Sequence, residues 1–184
     1  KLFKTISVGN RTPLFEVSGE ETGFLIVRPL DEQPWSEETK AAVILYVRDW
    51  FDLDNDLAPF YAMAKNDPIL SGVVPRLYGL RSMGIPDLFE ALCWGIIGQQ
   101  ISLAFAYTLK RRFVETFGRQ VRQGDVDCWL FPEPEKVAGL SVEQLTALKM
   151  TTKKAEYLIG VARLMAEGEI GKERLLAMES FDAV

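Results

Sequence analysis

The sequence predicts an α+β fold: a small N-terminal antiparallel sheet with a helix, then a mostly α-helical body that is incomplete at the C-terminus. Three observations carry this. Two β-rich runs, Leu14-Phe15-Glu16-Val17-Ser18 and Phe24-Leu25-Ile26-Val27-Arg28, flank the turn-forming stretch Gly19-Glu20-Glu21-Thr22-Gly23. From Leu57 onward the apolar residues recur at helical spacing. The last such pattern, Phe181 to Val184 behind a capping Ser180, is about one turn long, too short to stand alone as a helix.

In chain order, Leu2 to Val8 is a third strand ending at Gly9-Asn10, and Pro29 closes the sheet segment. Ser36 caps a helix whose first turn holds Glu37 and Glu38 and whose apolar stripe is Val43, Tyr46, Val47, Trp50 and Phe51. Pro59 and Asp67-Pro68 open two short helices. Asp87 starts a longer one, striped by Phe89, Leu92, Cys93, Ile96 and Ile97. Ser102 caps the next, which buries Ala106, Leu109, Phe113 and Phe117 and stops at Gly118. A loop through Phe131-Pro132-Glu133-Pro134 follows, then a helical stretch from Ser141 to Leu148 and a turn at Lys149-Met150-Thr151. The final full helix carries Ala155, Leu158, Ile159 and Ala162 on one face. With no linker or repeat, the expected division is a sheet-and-helix part, residues 1–56, and a helical part, residues 57–184.

Composition removes several functions. At 184 residues, 48% hydrophobic and 26% charged, the chain is ordinary globular material. No apolar run reaches the roughly 18 residues that a bilayer crossing needs, and Lys1 to Thr5 lacks the apolar core of a signal peptide. Cys93 and Cys128 are far apart, in no C-x-x-C spacing, and read as free thiols in a reducing cytoplasm. The chain has no histidine, so no Ser-His-Asp triad, Cys-His pair or His-ligated zinc can form from it. Its own catalysis must rest on carboxylates, lysine, tyrosine, backbone amides or a bound cofactor. The net charge of −5 is uneven. Between residues 103 and 122, Lys110, Arg111, Arg112, Arg119 and Arg122 face Glu115 alone. A phosphate backbone meets such a local basic face, not the net charge; from charge alone a solvated helix face explains it as well.

Asp52-Leu53-Asp54-Asn55-Asp56 mimics the opening of a calcium loop, but Leu57 replaces the required glycine and Met63 the bidentate glutamate. A solvated turn whose carboxylates cap the next helix is expected, and no metal. Gly95 and Gly98 lack the phosphate-loop pattern, and Gly95 is expected to let two helices approach closely. Trp50 and Trp94, near apolar stripes, are expected in the core. Lys153 and Lys154, just inside a helix start, oppose the helix dipole unless they meet an anion, which makes them candidates for phosphate contact. Gln99 and Gln100 lie on a tight turn between two amphipathic helices, the second of which carries the basic segment. An amide does not titrate, so the pair suits reading or filling space, not proton transfer. The free amides at Ile101-Ser102-Leu103 add a phosphate-binding helix start.

Gly95-Ile96-Ile97-Gly98-Gln99-Gln100-Ile101-Ser102, with its flanks Phe89-Glu90-Ala91-Leu92 and Phe117-Gly118, resembles the DNA-3-methyladenine glycosylase II family of helix-hairpin-helix base-excision glycosylases. Trp50 to Leu57, Tyr78 to Ile85, Phe131 to Glu135 and Leu148 to Ala155 match further blocks of that family in order. The resemblance implies double-stranded DNA with alkylated bases as partner, extrusion of the damaged base, and hydrolysis of its N-glycosidic bond. It implies a monomer without metal or organic cofactor, and an intracellular, nucleoid-associated place. Gln99 and Gln100 map onto the wedge that fills the vacated gap, with Ser102, Lys153 and Lys154 near the backbone. The family's DNA-binding hairpin and catalytic aspartate follow the segment matching Ser180–Val184, so no catalytic residue is assigned here. Asp182 precedes the hairpin and is not that aspartate. These residues alone are therefore expected to be inactive, as a fragment of a longer protein. Two other readings are a non-catalytic binder of distorted DNA and a helical protein-interaction domain.

Overall fold

A computed structural model describes residues 1–19 and 23–178. The N-terminal sheet is an antiparallel meander of β1 (Leu2–Thr5), β2 (Leu14–Gly19) and β3 (Leu25–Pro29), with β2 in the centre. Its register pairs Thr5 with Leu14 and Val17 with Val27. The expected first strand is shorter than predicted: it ends at Thr5, and Val8 makes only an isolated bridge to Arg11. Central β2 is buried from Leu14 through Val17, so even its polar Glu16 is enclosed. Lys1 Nζ and Arg28 Nη1 donate to the two Glu16 oxygens at 3.0 and 3.1 Å, and the Lys1 bond leads in holding this carboxyl below its usual range.

Helix α1 (Glu37–Trp50) covers one face of the sheet. Ser36 caps it as its sequence predicts, its hydroxyl accepting from the Thr39 amide at 3.2 Å. Val43 and Val47 of its stripe join Ile6, Phe15 and Val17 in a small core, with Tyr46, Trp50 and Phe51 packed at the margin. The carboxylates after α1 form a turn: Asp54 pairs with Arg48, and Asp56 accepts from the Ala58 amide at 2.9 Å just before α2 (Ala58–Ala64), whose N-cap, Leu57, supplies no side-chain cap. After α2 come α3 (Leu70–Val73) and a 3-10 turn (Val74–Leu77). Asp67 accepts from the Ile69 and Leu70 amides, which starts α3 two residues later than the Asp67-Pro68 signal alone suggests.

The main core lies farther along the chain. Helices α4 (Leu88–Gly98), α5 (Leu103–Phe117) and α8 (Thr152–Ala166) bury Phe89, Cys93, Ile97, Leu109, Phe113, Phe117, Ala155, Leu158, Ile159 and Ala162 together. Short α6 (Pro134–Ala138) and α7 (Val142–Thr146) close it with Val137 and Leu145. Ser141 and Gln144 form a reciprocal capping box at the start of α7. After α8 the chain turns into α9 (Lys172–Leu176), where Lys172 pairs with Asp49 at 2.7 Å. Burying a side chain such as Phe113 is worth about 1.5–3 kcal/mol, so this cluster outweighs the local propensities of its helices.

A further segment departs from the sequence reading. The expected loop is confined to residues 131–133, and the stretch between Gly118 and Phe131 forms a hairpin, β4 (Arg119–Gln123) and β5 (Val126–Leu130), joined by the two-residue turn Gly124-Asp125. Gly124 takes a positive φ of 56°, which suits a tight hairpin. β5 also lies beside β1, so the hairpin bridges the sheet and the helical body. It explains Gly118 as well: a Cβ there would run into the carbonyl oxygens of Leu130 and Val114. Ser180 and Phe181–Val184, expected to start another helix, lie outside the described residues.

Candidate nucleic-acid interface

Local chemistry builds the corner between α4 and α5. Asp87 opens α4 by accepting from the Glu90 amide at 2.6 Å. Phe89, Cys93 and Ile97 then hold one face in the core. At the other end Gln99 leaves helical geometry, and Gln100 takes a left-handed φ of 55°. For a residue other than glycine that conformation costs about 1–2 kcal/mol, so packing on both sides must impose it. Ser102 restarts the helix, its hydroxyl accepting from the Phe105 amide at 3.4 Å. Gln99, Gln100 and Ser102 are all exposed, at the seam of two helices whose apolar faces are fixed.

The two lysines of the candidate set part company. Lys153 is exposed and donates to Glu156 Oε2 at 2.9 Å. That bond also raises its pKa, with the Glu156 charge second. Lys154 is half-buried, and its Nζ donates to the Ile97 carbonyl at 2.7 Å, at the end of α4. Burial lowers its pKa. The structure therefore joins Lys154 to the Gln99–Gln100 corner and gives Lys153 a neighbour on its own helix. Thr151 starts that helix by accepting from the Lys154 amide at 3.3 Å.

The basic segment is thinner than its composition. Lys110 Nζ donates to Glu90 Oε1 at 2.7 Å and lies 5.2 Å from the Trp94 ring centre. Lys4 joins the same carboxylate at 3.6 Å, so Glu90 ties β1, α4 and α5 together. Arg112 donates to the Leu148 carbonyl at 3.3 Å. Arg111, Arg119 and Arg122 are exposed and have no ion pair among the described residues, so within this segment their charge is the least committed. Glu90 and the two hairpin arginines gained their places through contacts that helical periodicity does not report. The alternation Val121/Gln123 and Val126/Cys128/Leu130 around Gly124-Asp125 was the signal that could have revealed the hairpin.

Two expectations about α4 need correction. A Cβ built on Gly95 meets nothing within 4 Å, so this glycine permits no close helix approach. Trp94 is half-buried, with its ring 5.0 Å from that of Tyr107, and packs at the α4–α5 seam outside the core cluster. Trp50 does pack against the sheet core. Both cysteines are free, as read; Cys93 is fully buried, and burial pushes its thiol far above the usual range. A cavity of about 900 Å³ between β1, α1 and the 130–134 stretch shares no residue with the candidate set. Among the described residues, no helix is long and apolar enough to cross a membrane.

Against known proteins, residues 93–180 match the model of the HhH-GPD superfamily base excision DNA repair proteins, and residues 4–92 match that of the 8-oxoguanine DNA glycosylase N-terminal domain. The chain is 49% identical to a DNA-3-methyladenine glycosylase of Bacillus subtilis (strain 168) over 181 residues, covering 98% of this chain and 60% of that protein. With the DNA-3-methyladenine glycosylase 2 of Escherichia coli (strain K12) it shares 36% identity over 110 residues, 57% of this chain and 38% of that protein. Among solved structures, the 3-methyladenine DNA-glycosylase of Archaeoglobus fulgidus superposes with a TM-score of 0.75 at 23% identity, covering 87% of this chain and 54% of that one. The apo 8-oxoguanine glycosylase/lyase of Clostridium acetobutylicum gives a TM-score of 0.68 at 18% identity, over 96% and 57%. These two structures bear on the fold.

Proposed function

Because this chain belongs to the DNA-3-methyladenine glycosylase II family of helix-hairpin-helix base-excision repair proteins, we propose that its full-length form removes alkylated purines, such as 3-methyladenine, from duplex DNA. The chain spans 60% of the length of the Bacillus relative. The observation that carries the reading is the exposed Gln99–Gln100 corner, strained at Gln100 and braced by two buried helix faces. A pair of amides presented so rigidly can enter the space left by an extruded nucleotide and hydrogen-bond to an orphaned base. Ser102 and the α5 amides would lie beside the backbone, as would Lys153, with Arg111, Arg119 and Arg122 supplying charge.

The chemistry needs little from these residues. A purine alkylated on a ring nitrogen is already cationic, so it departs without a proton, and aromatic faces can hold it. An aspartate then stabilises the oxocarbenium-like sugar and orients water. By the family resemblance that aspartate and the DNA-binding hairpin lie past Val184, and the full-length protein acts as a monomer among the nucleoid DNA. The same reading keeps residues 1–56 as the sheet-bearing part and residues 57–184 as glycosylase body.

The test is base release. Full-length protein incubated with methylated duplex is expected to liberate free methylpurine and leave abasic sites. Absence of any released base across several methylated purines refutes the enzymatic reading, and retained affinity for distorted duplex would then point to a binder.

A further inference from the structure

A turn as short as Gln99–Gln100 inherits its direction from the last carbonyls of the helix it leaves. One of those carbonyls is held from outside the helix. Lys154 Nζ donates to the Ile97 oxygen at 2.7 Å, a contact spanning 57 residues of sequence. The Ile97 side chain is fully buried in the α4–α5–α8 core, so the carbonyl and the ammonium are both anchored. Electrostatics favours the pairing from both ends. A cation in the first turn of α8 opposes the dipole of its own helix, whereas the C-terminal end of α4 is a negative pole. Burial lowers the Lys154 pKa, and the negative pole of α4 favours the charged form that burial disfavours. Among the described residues, Lys153, one residue earlier, pairs with the exposed Glu156 on its own helix.

We infer that Lys154 is a positioning residue: it clamps the end of α4, sets where the Gln99–Gln100 corner meets duplex DNA, and commits its charge to Ile97 instead of to a phosphate. The inference rests on the wedge reading above, and its consequences separate from it. The probes are an intact duplex and the same duplex with an abasic-site analogue, titrated with full-length protein over a range of salt. Wild-type protein is expected to prefer the abasic duplex, and Q99A/Q100A to lose that preference. K154M is expected to lose about tenfold of the preference, the scale of one charge-assisted hydrogen bond, with its salt dependence unchanged. K154R is expected to retain the preference, and K154M is expected to add nothing to Q99A/Q100A, because both act through one corner.

A K154M protein whose preference persists while its salt slope falls by about 0.9 makes Lys154 a phosphate contact and overturns the clamp. Additive losses with Q99A/Q100A overturn it too. A wild-type protein without any abasic preference removes the wedge reading itself, and the clamp's role with it. Should K154M fail to fold, nitrogen NMR of the wild type decides: a slowly exchanging Lys154 ammonium supports the clamp, and one exchanging as fast as that of Lys153 overturns it.

Discussion

Residues 58–85 and residues 88–166 are both largely helical and both rich in apolar side chains, yet they are held by different forces. In the later stretch, α4, α5 and α8 bring Cys93, Ile97, Phe113, Ala155 and Leu158 into full burial. In the earlier one only Ala64 is buried, while Ile69, Tyr78 and Leu80 stay 77%, 75% and 67% exposed. What fastens that arm is polar. Arg81 Nη1 donates to the backbone carbonyls of Asp52 and Asn55. Tyr61 accepts from the Gly79 amide at 2.8 Å, and the Gly84 amide donates to the Trp50 carbonyl at 2.9 Å. An apolar pattern forms a core only where a second apolar face reaches it; elsewhere hydrogen bonds fix the path and leave the side chains open.

That contrast can be broken at either end. The largest effect is expected from Phe113→Ala, which empties a fully buried site between α5 and Phe131 and should cost about 3–5 kcal/mol in denaturant unfolding. A loss below about 1 kcal/mol would show that the body is loosely packed. Arg81→Met should cost about 1.5 kcal/mol, the low end for hydrogen bonds from a charged donor. Hydrogen exchange should accelerate at residues 79–85 while Cys93 and Phe113 amides keep their protection. Uniform acceleration would mean that arm and body unfold as one unit. The smallest effect belongs to Ile69→Ala, within about 0.5 kcal/mol, as for a surface residue. In the full-length protein the same comparison measures whether anything covers Ile69. A cost there of about 2 kcal/mol or more would show that something does.

Legibility followed the range of the interactions. Ser36, Asp87, Ser102 and Ser141 were readable as helix starts because a cap satisfies an amide two or three residues away, whereas Thr151, read as part of a turn, proved to cap α8. The stripes of α1, α4, α5 and α8 were readable for the same reason, since periodicity is local. The β4–β5 hairpin escaped because its alternation is faint: β4 offers one apolar residue, Val121, among Arg119, Gln120, Arg122 and Gln123, and Trp129 breaks the alternation of β5. At the candidate interface the corner itself was visible as Gly98-Gln99-Gln100, but what its neighbours do was not. Lys110 looked available and is bound to Glu90; Lys154 looked available and is bound to Ile97.

By itself, then, the sequence determined the α+β order, the helix starts at Ser36, Asp87, Ser102 and Ser141, the buried faces, the corner between α4 and α5 and the chemistry that a chain without histidine must forgo. Only the tertiary structure decided which charges remain available, that the hairpin bridges sheet and body, that Gly118 and not Gly95 is the glycine required for close packing, and that Lys154 belongs to the end of α4. The physical reason is one of range. Capping and periodicity act over a turn or two of chain, whereas an ion pair or a buried carbonyl's donor is chosen by whatever the fold brings within about 3 Å, and in this molecule the Lys154 partner comes from 57 residues away.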